Sequence, residues 1–129
     1  MLELMGVDVS EVFNPGIFTR LAGAVGLAPG FVADAAVVKP QVGNWNLVRP
    51  GDQQLYLKLI DHEQPWLLAG APPCGPFSVL MILQWRNRDP EKDRQRLEWG
   101  RELLRTACRG YRKQYDAGRY FLHEAPANA

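Results

Sequence analysis

Cys74 lies between two prolines and beside a glycine, in Pro72-Pro73-Cys74-Gly75-Pro76, directly after the apolar run Trp66-Leu67-Leu68-Ala69-Gly70-Ala71. Prolines fix backbone angles and remove amide donors, so such a loop sets where the sulfur points. A cysteine becomes a nucleophile when its thiolate is stabilised and reachable. The usual alternative for a lone cysteine is a small buried hydrophobe, and a loop of prolines and glycine gives no packing reason for one. Cys108 takes that alternative. Leu97, Leu104, Cys108, Tyr111 and Tyr115 recur at helical spacing, which predicts Cys108 on the buried face of a helix.

Three other places carry groups that could act together. Asp34 closes the apolar run Gly30-Phe31-Val32-Ala33, roughly twenty residues beyond the turn cluster Asn14-Pro15-Gly16. An acid there accepts hydrogen bonds from ribose hydroxyls in nucleoside-binding folds; an ordinary loop aspartate reads equally well. Glu124 follows the strand-like run Arg119 to His123. His62 and His123 are the only histidines, hence the only histidine bases for a cysteine hydrolase, a competing enzyme class. A surface position for His62 and a supporting one for His123 are the plainer readings.

The elements between these groups alternate. Val7 to Phe13 reads as a strand, and Thr19 as the cap of a helix running to Gly26. Gly30 to Asp34 is a second strand, and residues 38–50, with Pro40, Gly43, Asn44, Asn46 and Pro50, are mostly loop. Asp52 is positioned to cap a helix from Gln53 to about Glu63, with Leu55, Leu59 and Ile60 on one face and Pro65 forbidding continuation. The Trp66–Ala71 run suits a central parallel strand buried on both faces. Asp89-Pro90-Glu91 starts a long helix that Gly118 stops. Alternation of this kind predicts an α/β fold, a mostly parallel sheet with helices on both faces. In such sheets ligands gather at the carboxyl ends of the strands. Asn14 to Gly16, Asp34, Cys74 and Glu124 all stand at strand ends.

Length and composition bound the rest. A chain of 129 residues, 47% hydrophobic, forms one domain with an ordinary core. No run is long enough to cross a bilayer, and Met1 to Asp8 is unlike a signal peptide. Two cysteines suit neither a disulfide framework nor a zinc cluster. The expectation is therefore an intracellular protein without a metal or membrane association. Charge is uneven: residues 1–85 hold four basic and seven acidic side chains, residues 86–129 eleven and seven. The second half could face a polyanion, although arginines mixed with acids more often mark a solvated helix face.

The run Gly70-Ala71-Pro72-Pro73-Cys74-Gly75-Pro76-Phe77-Ser78 resembles the proline-cysteine catalytic loop of cytosine-5 DNA methyltransferases. Glu11-Val12-Phe13-Asn14-Pro15-Gly16 is similar to that family's first cofactor motif, and Asp34 to the acid after its second strand. Asn46 stands near the family's adenine-contacting aspartate, and Phe121-Leu122-His123-Glu124-Ala125-Pro126 resembles its glutamate-bearing strand end. Order and spacing agree over nearly the whole chain, and the arginine-rich helix looks closest to a branch found in retroelement-associated polyproteins. The resemblance implies a Rossmann-like methyltransferase half-domain over residues 1–129. It implies S-adenosylmethionine as cofactor, bound by Phe13, Asn14, Gly16, Asp34, Asn46 and Pro72, with DNA as partner. It further implies a covalent mechanism: the thiolate of Cys74 adds to carbon 6 of an extruded cytosine whose edge Glu124 holds. Departures are Gly75 in place of glutamine, Asn46 in place of an acid and a single glycine, Gly16, in the first motif. The family's later arginine motif and target-recognition region do not follow Glu124, so a downstream segment or second chain is expected to complete the fold. A non-catalytic scaffold module and the cysteine hydrolase are the alternatives.

Overall fold

The computed structural model describes residues 6–39, 43–73 and 89–125. Among them, β1 (Val9–Val12), α1 (Ile17–Ala24), β2 (Pro29–Ala33), α2 (Pro50–Glu63), β3 (Leu67–Gly70), α3 (Pro90–Asp116) and β4 (Tyr120–His123) alternate in that order. The strands form one all-parallel sheet in the order β2-β1-β3-β4. β1, β3 and β4 fall inside the runs expected and are one to three residues shorter, while β2 is shifted one residue towards the N-terminus of its expected run. The fold is α/β.

The sheet carries helices on both faces, and β1 shows how. Successive strand side chains point to opposite faces. The Ser10 hydroxyl donates to Glu63 Oε2 of α2 at 3.3 Å, while the next residue, Glu11, accepts from the Thr19 amide of α1. Right-handed crossovers account for this arrangement. The chain steps one way from β1 to β2 and the other way to β3 and β4, so α1 lies on one face and α2 and α3 on the other. Accordingly α1 packs on β1 and β2, α3 packs on β3 and β4, and α2 packs on β2 and α3. Between the sheet and the α2–α3 layer sits the main core, where Val12, Ala33, Tyr56, Ile60, Leu68 and Ala107 are wholly buried. Phe31 meets Tyr56 edge to face, with ring centroids 5.9 Å apart.

Local chemistry sets the helix ends. Asp89 caps α3 as expected, its side chain accepting from Glu91 N at 3.0 Å with Pro90 in the first turn. The other two caps differ from expectation. α1 begins at Gly16 in the left-handed region, and Thr19 lies inside the first turn, its hydroxyl donating back to Gly16 O at 3.1 Å. α2 begins at Arg49 with Pro50 in its first turn, so Asp52 is already helical. Proline fits there because a first-turn amide has no partner within the helix.

The buried face of α3 also differs. It consists of Gly100, Leu103, Thr106, Ala107, Gly110, Tyr111 and Gln114. Tyr115 is exposed, and so is Cys108, which corrects the expectation that it is buried. Hydrogen bonding and close approach, which an apolar count does not register, rotate the helix. Gln114 is buried because its amide donates to Pro65 O at 2.9 Å and Tyr120 O at 2.8 Å. Gly110 faces α2 so closely that a Cβ there would fall 1.8 Å from the Tyr56 hydroxyl. That hydroxyl donates to Ala107 O at 3.3 Å.

Candidate functional site

Main-chain hydrogen bonds align the ends of all four strands. Phe13 N donates to Ala33 O at 2.9 Å, Ala71 N to Val12 O at 3.1 Å and Glu124 N to Gly70 O at 2.8 Å. Along the carboxyl edge the chain therefore presents, in order, Asp34, Phe13 with Asn14, Pro72, and Glu124. The strand order reverses direction between β1 and β3, and such a switch point is where open α/β sheets hold ligands. Cys74, the expected nucleophile, lies outside the described residues.

The turn after β1 is the most constrained part of this edge. Phe13 has φ 58° and Gly16 φ 95°. Positive φ is ordinary for glycine and uncommon for an aromatic residue. Phe13 is held there by its bond to Ala33 O and by packing against the core. Strain of this kind, about 1–3 kcal/mol, persists where surrounding structure over-determines it and recurs at binding sites. Gly16 is buried, Asn14 half-buried. Glu11 stands one strand residue behind the turn, wholly buried; one carboxylate oxygen accepts from Thr19 N and the other, Oε2, has no hydrogen-bond partner among the described residues.

Asp34 is half-buried, and its Oδ1 accepts from Ala36 N at 2.9 Å, closing a local turn that does not use Oδ2. Asn46 is exposed on the loop before α2. Its amide donates to Asp52 Oδ2 at 2.7 Å, and Lys39 Nζ donates to Asp52 Oδ1 at 2.7 Å. Burial by itself raises the Asp52 pKa, but the Lys39 ammonium and the Asn46 amide outweigh it and hold the carboxyl below its ordinary value. With Trp45 and Leu47 buried on either side, this ion pair fixes where Asn46 stands. Pro72 is buried.

At the β4 end, Glu124 is exposed and His123 Nδ1 lies 3.0 Å from the Tyr111 hydroxyl. Burial pushes the Tyr111 pKa well up, so the hydroxyl stays protonated, and which partner donates in its bond to Nδ1 follows the imidazole tautomer. Phe121 stacks on the same tyrosine at 4.7 Å, and a Cβ on Gly70 would fall 2.0 Å from its hydroxyl. Tyr111 thus locks the carboxyl ends of β3 and β4 together. His62 is exposed in the last turn of α2, just before β3 begins, at the opposite edge of the sheet. That edge also has an open cleft of about 510 Å³ lined by Asp61, Gln64, Lys113, Asp116 and Arg119. The Lys113–Asp61 pair at 2.9 Å occupies it, and none of the residues singled out at the carboxyl edge lines it.

Glu11, Lys39 and Asp52 belong to the site and were not singled out as functional from sequence. An acid within the apolar Val9–Val12 run, a few residues before a helix, was the available signal for Glu11. No family model matches the chain, and neither a curated protein nor a solved structure matches it.

Proposed function

We propose that the carboxyl edge of the sheet is the nucleoside-cofactor cleft of a cytosine-5 DNA methyltransferase-like half-domain. The observation that carries this reading is the alignment of Phe13, Asn14, Asp34, Pro72 and Glu124 along one edge by hydrogen bonds between neighbouring strands. In this reading Asp34 accepts the ribose hydroxyls, Asn46 meets the adenine edge, and the turn from Phe13 to Gly16 with Pro72 forms the walls. The fit to S-adenosylmethionine is tested by Glu11. A buried carboxylate oxygen without a partner, behind the first turn, suits a cofactor bearing positive charge. Bound there, S-adenosylmethionine supplies the methyl group.

The remaining roles follow the resemblance. The Cys74 thiolate attacks carbon 6 of a cytosine, forming a carbon–sulfur bond that is broken again when the product leaves. Glu124, exposed beside β3, holds the base by its edge and shares a proton with the ring nitrogen. DNA is the partner. A downstream segment or second chain supplies target recognition, and without it the half-domain is inactive; the site of action is intracellular.

Two measurements test this. Titration calorimetry of the chain against S-adenosylmethionine and S-adenosylhomocysteine should register binding of both. Trapping by a mechanism-based cytosine analogue in mismatched DNA, where extrusion costs least, is expected only when the downstream half is added. It should be read in a Cys108→Ser background, because Cys108 is exposed. Binding of neither cofactor form leaves a scaffold module as the better account. The cysteine hydrolase is disfavoured because His62 stands at the wrong edge and His123 Nδ1 is already engaged by Tyr111.

A further inference from the structure

Gly16, the N-cap of α1, has no side chain with which to satisfy the first-turn amides. Glu11 does so instead, reaching from β1 to accept from Thr19 N. A helix start after the first strand of an α/β sheet is the usual seat of a phosphate, which its free amides and positive dipole end attract. Here a carboxylate from within the protein already holds that seat. Glu11 is wholly buried, and its Oε2 retains an unanswered acceptor among the described residues.

We infer that Glu11 makes the α1 end of the cleft a phosphate-excluding subsite. It admits nucleosides whose 5′ substituent is neutral or cationic and rejects nucleoside phosphates. This rests on the nucleoside cleft proposed above and adds the class of ligand it selects. A second anion at the α1 terminus meets the Glu11 charge in place of the amide Glu11 occupies, whereas an ammonium or sulfonium group gains from the same charge.

Calorimetry of the whole chain at low ionic strength, with adenosine, S-adenosylhomocysteine and ADP as probes, tests the inference. The parent should bind adenosine and S-adenosylhomocysteine, and ADP about tenfold or more weakly than adenosine. Glu11→Gln keeps the shape and an acceptor for Thr19 N, so it should bring the ratio of ADP to adenosine affinity towards one. Because the adenosine-to-ADP ratio of the parent is itself a readout, the test survives a variant that folds poorly. ADP binding as tightly as adenosine in the parent overturns the inference and leaves the cleft standing. So does an unchanged ratio in a folded Glu11→Gln. Binding of none of the three probes overturns the cleft itself.

Discussion

Asp34 and Asp52 are acids on either side of the loop that carries Asn46, yet the protein treats them differently. Asp34 is only half-buried and gives one oxygen to a local turn, so its removal should leave the fold intact and strip the proposed cleft of an acceptor. Asp34→Ala is expected to weaken S-adenosylhomocysteine binding by about 1–3 kcal/mol, the cost of leaving ribose hydroxyls unpaired; equal affinities by calorimetry would remove the ribose role. Asp52 is buried and ion-paired, and its pKa is lowered on folding. A lowered carboxyl pKa contributes stability that is fully present above the unfolded value of about 4 and is lost as pH falls through the folded one. Acidification below about pH 4 should therefore release the loop carrying Asn46. Buried Trp45 sits in that loop and offers a fluorescence signal. In Asp52→Asn the acid-induced change at Trp45 should disappear, while the loop is looser at neutral pH because Lys39 loses its partner.

Among the helices, the α2–α3 contact depends on one missing side chain. The ideal Cβ at Gly110 would lie 1.8 Å from the Tyr56 hydroxyl and 2.9 Å from Ile60 Cδ1, and both residues are wholly buried. Gly110→Ala should prise the two helices apart and cost about 1–3 kcal/mol, measurable as a lower urea midpoint, despite alanine's better helix propensity. The same helix shows what a sequence discloses and what it conceals. Its start was legible because Asp89, Pro90 and Glu91 act within one turn. Its buried face was not, because Gln114 is buried for the sake of carbonyls on Pro65 and Tyr120, partners that hydrophobic spacing does not reveal. Cys108 was misplaced by the same rotation. As an exposed free thiol it should be alkylated by iodoacetamide under native conditions at the rate seen in the unfolded chain, to within a few fold; strong protection, read by peptide mass mapping, would contradict the helix orientation.

For the molecule as a whole, the parallel sheet was legible because strand and helix patterns alternate with turn residues between them, and the Leu67–Gly70 run reads as doubly buried. The alignment of the candidate site residues followed from that topology. The acid that caps α1 did not, since a buried Glu11 is recognisable only once β1 and α1 are seen to face each other. The sheet order carries a consequence for how the chain comes into being. β1 pairs with β2 on one side and β3 on the other, and every pairing bridges a helical connection. Among the described strands no two are joined by a hairpin, so each ladder of the sheet requires closure of a long loop, which slows folding relative to locally connected folds. On a ribosome delivering about 5–20 residues per second, β1 would wait several seconds between meeting β2 and meeting β3. During that interval its second edge is open, with Ser10 still to meet Glu63 of α2. Of the described elements, the β1–α1–β2 unit, which brings Glu11 to the Thr19 amide, is the first that can form as the chain emerges.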